Sequence, residues 1–184
     1  MASALTYLYN IILVSSACFI LLINGEDSDW FSETKVFEKM EEKVTHLHFY
    51  FHDTISGDKP TAIQIAGPKA GGFGDTMIAD EPLTEGPEAT SKIIGRAQGM
   101  YALSGQQEVG LIMVLSYAFM EGKYNGSTLS LLGRNPIFHP VREMPIVGGS
   151  GLFRFARGYA LAKTVWFNNL GDAVVEYNVT VIHY

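Results

Sequence analysis

The chain is short of cysteine, of charge and of basic residues, and each shortage removes a class of function. Its 184 residues include one cysteine, Cys18, inside an apolar run near the N-terminus. Beyond that run there is no thiol nucleophile, no cysteine metal site and no disulfide. Charged residues make up 17% and the net charge is −6, which argues against a nucleic-acid partner, since that requires a basic face. No internal repeat, low-complexity tract or long helical pattern interrupts the sequence. What is abundant is glycine, at 19 residues, together with Tyr, Phe and Val, a balance that favours an all-β domain.

Tyr7 to Asn24 read YLYNIILVSSACFILLIN, followed by Gly25, Glu26, Asp27 and Asp29. An apolar core ending at a small residue and then acidic residues predicts a signal peptide over 1–25 and a secreted, extracellular protein. The competing reading is a membrane anchor, against which Asn10 and the short span count. Two sequons, Asn125-Gly126-Ser127 and Asn178-Val179-Thr180, are candidate glycosylation sites. Residues 26–43 are polar and acidic and read as an N-terminal arm. The domain proper is expected over 44–184.

From Val44 to Asp53 the apolar Leu47, Phe49 and Phe51 alternate with His46, His48, Tyr50 and His52, so Asp53 shares the apolar face of its strand. Further strands are expected over 61–66, 77–80 (ended by Glu81-Pro82), 93–103, 110–120, 127–133, 141–147, 152–166 and 174–184. Residues 110–120 are apolar on both faces, as in a strand covered from both sides. Strands at hairpin spacing predict an up-and-down antiparallel barrel, with a sandwich as the alternative.

Several residues are candidates for chemistry on this pattern. A lone carboxylate at Asp53 on an apolar face is costly, and desolvation raises its pKa toward general-acid use; a structural turn carboxylate is the competing reading. Arg142 shares a face with Met144 and Ile146 and can hold a phenolate or carbonyl oxygen, or simply pair with a barrel carboxylate. Tyr101 follows the small Gly95, Ala97 and Gly99, and Thr164 the small Ala160 and Ala162, which suggests an interior with room; Tyr101 reads equally well as a core aromatic. Asp80, at a strand end, is a second possible acid or a solvated turn residue. His46, His48 and His52 face away from the apolar side and lack a convergent partner set, so neither a metal nor a cofactor is expected.

Four segments in order resemble the plant dirigent protein family: HFYFHD at 48–53, GRAQGMY at 95–101, EGKYNGSTLSLLGRNP at 121–136 and VREMPIVGGSGLFRFARGYA at 141–160. The resemblance implies an eight-stranded antiparallel calycin-like β-barrel, a homotrimer, and a pocket at one barrel end that handles small phenolic molecules in the apoplast. It moves Asp53 toward that pocket, and Thr164 matches a pocket threonine of the family. Two features depart from the lignan-coupling branch: its cysteine pair is missing, and Asn135 replaces its aspartate, in GRNP rather than GADP. Both favour the branch that includes the legume pterocarpan synthases, which dehydrate isoflavanols through a quinone methide. On this reading Asp53 or Asp80 protonates the departing hydroxyl. Arg142 and Tyr101 hold the quinone methide, Asn135 and Thr164 fix its face, and Phe49, Phe51, Met144 and Trp166 wall it from water. The alternatives are a non-catalytic dirigent protein guiding radicals made by a separate oxidase or laccase, and a structural role in the cell wall.

Overall fold

The computed structural model describes residues 40–68 and 71–184. The expected signal peptide and residues 26–39 of the arm lie outside the described residues. Nine strands follow one another: β1 (Lys43–Asp53), β2 (Ala62–Ala66), β3 (Thr76–Thr84), β4 (Ile93–Leu103), β5 (Leu111–Phe119), β6 (Thr128–Asn135), β7 (Arg142–Ser150), β8 (Arg157–Phe167) and β9 (Ala173–His183). They form one antiparallel sheet in the order β1-β9-β8-β7-β6-β5-β4-β3-β2, closed by a further pairing of β1 with β3.

Closure joins β1 and β2 end to end along β3. Tyr50 and Phe51 pair with Thr84 and Leu83, while Ala62 to Gln64 pair with Ala79 to Met77. The two act as one stave broken by the loop 54–61, so the barrel has eight staves. A closed sheet leaves no edge to aggregate.

The strand expected to stop at Glu81-Pro82 instead runs to Thr84. The amide of Asp80 points toward the β2 side and donates to the Thr61 carbonyl. By the two-residue repeat, Pro82 directs its missing N–H to the same side, at the break between β2 and β1. No ladder bond is lost there, so proline is tolerated within the strand. The strand expected from Leu152 begins only at Arg157, because a 3₁₀ turn at Gly151–Phe153 tucks a fully buried Phe153 under the barrel.

Alternation sends Phe49, Leu83, Leu115, Tyr117, Leu129, Met144, Tyr177 and Val179 inward, all buried. Phe49 stacks on Tyr177 at 5.7 Å and 16°, and meets Tyr117 edge-on at 5.3 Å. Below them Phe153 stacks on Tyr124 at 4.6 Å and meets His183 at 5.1 Å. The Thr45 hydroxyl contacts the His183 ring at 2.9 Å and the Tyr124 hydroxyl at 3.1 Å. Each large side chain buried here stabilises the fold by about 1.5–3 kcal/mol. Together they seal one end of the barrel.

The outer surface carries a cross-strand row. Ile63, Ile78, Met100, Val114 and Leu132 are successive register partners from β2 to β6. All five are solvent-exposed.

Candidate active site

The other end of the barrel is hollow. Where β1, β4, β6 and β8 end and β5, β7 and β9 begin, a cavity of about 850 Å³ opens. Seven of the residues singled out in the sequence line it: Phe51, Asp53, Tyr101, Asn135, Arg142, Thr164 and Trp166. Its mouth is apolar, with Val109, Phe138 and Phe167 exposed. Such a space suits a small molecule with several rings, held by few polar groups.

On one wall, the Tyr101 hydroxyl donates to both Asp53 oxygens, at 3.1 and 3.0 Å. Behind Asp53 lies a second carboxyl, that of fully buried Glu81, interacting with Asp53 and accepting a bond from the Thr61 hydroxyl. Burial pushes Glu81 up to about 9, with the negative charge of Asp53 adding to it. Burial also raises Asp53, to about 6, against the opposing hydrogen bonds from Tyr101 and Glu81. The Tyr101 hydroxyl is pushed far above its ordinary range by burial and then by Asp53, so it remains a donor. The pair thus keeps a proton at neutral pH, an arrangement suited to acid–base work.

Arg142 lies on another wall and is almost fully buried. Its Nε donates to Asn135 Oδ1 at 3.1 Å. Among the described residues no carboxylate pairs with it. Burial lowers its pKa, opposed by Tyr177, yet a guanidinium stays charged in proteins. The expected alternative, a pair between Arg142 and a barrel carboxylate such as Asp53, is therefore not formed among the described residues. Asn135, neutral where an aspartate would have neutralised it, leaves the cation facing the cavity.

Three expected site residues stand elsewhere. Asp80 is on the outer face, where Arg96 and Gln98 donate to it at 2.5 and 3.1 Å, and the Arg96 bond holds its carboxyl below the usual range. The interior carboxylate of this strand is its neighbour Glu81. It shares the inward parity of Met77, Ala79 and Leu83, and a strand read through Pro82 points to it. Phe49 and Met144 are fully buried in the packed half and do not line the cavity. Gly95 and Gly99 also act differently from the expectation of making room. A Cβ on Gly99 would lie 2.1 Å from the Val114 carbonyl oxygen, and one on Gly95 2.4 Å from that of Ala118. Glycine here permits close approach of β4 to β5, and Gly99 has φ +149°.

The remaining polar candidates are separately placed. His46 meets Thr180, His48 meets Glu176 and buried His52 meets Thr84, at 3.1, 2.9 and 2.7 Å. Among the described residues no group of three or more His, Cys, Asp or Glu is arranged to hold a metal. Asn125 and Asn178 are both exposed.

A hollow-ended eight-stave barrel agrees with what the sequence motifs imply, and comparison decides the family. The dirigent-like protein family matches residues 44–182. The chain belongs to the dirigent family. Among its dirigent relatives, dirigent protein 21 of Arabidopsis thaliana is 57% identical, covering 77% of this chain and 78% of that one. Pterocarpan synthase 1 of Glycyrrhiza echinata is 55% identical, covering 78% and 80%. A solved pterocarpan synthase dirigent protein superposes on this dirigent barrel with a TM-score of 0.76 at 52% identity, covering 80% and 89%.

Proposed function

We propose that this dirigent protein is a pterocarpan synthase, converting an isoflavan-4-ol to a pterocarpan with loss of water. The observation that carries the reading is Asp53, raised by burial to about 6, on one wall of an apolar cavity that also receives Arg142, with which no carboxylate among the described residues pairs. Asp53 gives a proton to the departing hydroxyl, and the C–O bond breaks to release water. A protonated quinone methide remains, its oxygen within the reach of the Arg142 and Tyr101 walls. A phenolic hydroxyl of the same molecule attacks the electrophilic carbon, and its proton returns to the carboxylate. Thr164, Phe51 and Trp166 hold the rings and limit water. Pterocarpan synthases at about half identity or more support the reading.

The test is anaerobic turnover of a chiral isoflavanol by purified protein without oxidase, with product followed by chiral chromatography. Pterocarpan formation is expected. A protein that makes none, yet biases phenol coupling once a laccase is added, belongs to the second reading, a non-catalytic dirigent protein. Relatives named simply as dirigent proteins at 57 and 58% identity favour that alternative.

The assembly and compartment are part of the same proposal. The exposed row Ile63, Ile78, Met100, Val114 and Leu132 supports self-association, here as a homotrimer, and light scattering returning a monomer mass would count against it. Secretion with cleavage near Gly25 is checked by N-terminal sequencing of apoplastic protein. No helix among the described residues is long and apolar enough to cross a membrane.

A further inference from the structure

Glu81 has no place in the reaction as written above, yet it is among the largest fully buried side chains of the barrel. Burying a carboxyl that does nothing is expensive. Its Oε2 accepts from the Thr61 hydroxyl, while its Oε1 has no donor in the protein. It contacts the carboxyl of Asp53, whose two oxygens already accept from Tyr101. Ionised carboxylates only accept hydrogen bonds, so a bond between two carboxyls requires one proton between them. Glu81 does not line the cavity and cannot touch a bound molecule.

We propose that Glu81 is a positioning residue for Asp53: the two carboxyls share one proton, which Glu81 holds at rest and hands to Asp53 for delivery to the leaving hydroxyl. This rests on the dehydration reading for its chemistry, though not for the shared proton itself. In the forward step the shared proton passes from Glu81 to Asp53 and from Asp53 to the hydroxyl as its C–O bond breaks, leaving both carboxyls ionised for the moment. In the closing step the attacking phenol forms the new C–O bond and its proton returns to the pair. Isoflavanol in equals pterocarpan plus water out, and the enzyme is unchanged.

The surroundings keep the proton there. The groups facing the pair are Thr61 and the Thr54 backbone from the β1–β2 loop, Tyr101 from β4, Asp172 from the loop before β9, and Tyr177 on the neighbouring wall. Asp75 acts on the pair only through Tyr101. His52 points out of the other side of β1, to Thr84. Among the described residues no cation bonds to either carboxyl, so nothing drives both to ionise. Their raised values, about 6 and about 9, bracket neutral pH.

Infrared spectroscopy of the folded full-length protein tests the shared proton without any substrate. A protonated-carboxyl band at neutral pH is expected, shifted by ¹³C-glutamate labelling, lost as pH rises past about 9 and absent in Glu81→Gln. A missing band, or one that glutamate labelling does not shift, overturns the proposal in wild-type protein, whether or not the variant folds. The kinetic arm uses isoflavanol turnover against pH. Wild type holds its activity to about pH 9, whereas Glu81→Gln declines from about pH 6, roughly tenfold per unit. Asp80→Asn leaves the profile unchanged. Identical profiles for wild type and Glu81→Gln overturn the relay. An inactive wild type with the labelled band present instead overturns the dehydration reading and leaves the pair standing.

Discussion

The two ends of this barrel are built on the same staves and differ in what the inward positions carry. At the closed end Phe49, Tyr117, Tyr177, Phe119 and Phe153 interlock, with Tyr124 and His183 beneath. At the open end the inward positions are Asp53, Tyr101, Asn135, Arg142 and Thr164 around a cavity. Both ends alternate in the same way, so the ladder does not care which is filled. Large aromatic volume makes one end a core. Polar groups that cannot fill space, held by rigid strands, make the other a site.

Substitutions sharpen that division. The largest expected effect is on chemistry at the open end. Asp53→Asn keeps the shape, removes the titratable proton and lowers kcat by about 10²- to 10⁴-fold, while binding of a product analogue changes little; steady-state kinetics and calorimetric titration check both. The next is on stability at the closed end. Phe49→Ala empties a fully buried position and costs about 3–5 kcal/mol, a fall in Tm of roughly 10 °C. Phe138→Ala, at the exposed mouth, stays within about 0.5 kcal/mol. Equal losses at the two positions would break the comparison.

Arg142→Leu removes from the cavity wall a cation that pairs with no carboxylate among the described residues. We expect KM to rise about tenfold, with kcat also falling, in line with the loss of one charged hydrogen bond. Thermal stability holds or rises, because an uncompensated guanidinium leaves the interior. A large loss in Tm would show that Arg142 is a structural residue instead.

The smallest effect separates two carboxyls by sign. Glu81 is raised from 4.5 to about 9, so its stabilising contribution is present below the unfolded value and is lost as pH rises toward 9. Asp172 runs the other way. The Ser56 hydroxyl, Asn168 and the amides of Ile55 and Ser56 hold it below its ordinary 3.8, against burial. Its stabilisation is present above 3.8 and is lost as pH falls through the lower folded value. In Tm scans against pH, Glu81→Gln therefore gains on wild type as pH rises. Asp172→Asn lies below wild type at neutral pH and converges with it in acid. Parallel curves would contradict both assignments.

Much of this was legible in the residues themselves. Period-two alternation predicts the barrel class and puts Asp53 and Arg142 inward, because a strand allows its side chains only two faces. The four family segments carry the identity, and the GRNP motif shows the departure at Asn135 from the lignan-coupling branch; that Asn135 sits against Arg142 is seen only in the structure. The tertiary structure decided the rest. It separated Phe49 and Met144 from the cavity, since alternation gives the face of a side chain and not its depth along the barrel. It moved the second carboxyl from Asp80 to Glu81, because Pro82 sits where β3 has no partner carbonyl waiting for a donor, a gap that exists only once the barrel closes. It also brought Glu81 against Asp53, 28 positions earlier in the chain. Their coupling arises from mutual desolvation and distance, and neither quantity exists until the strands are closed into a ring.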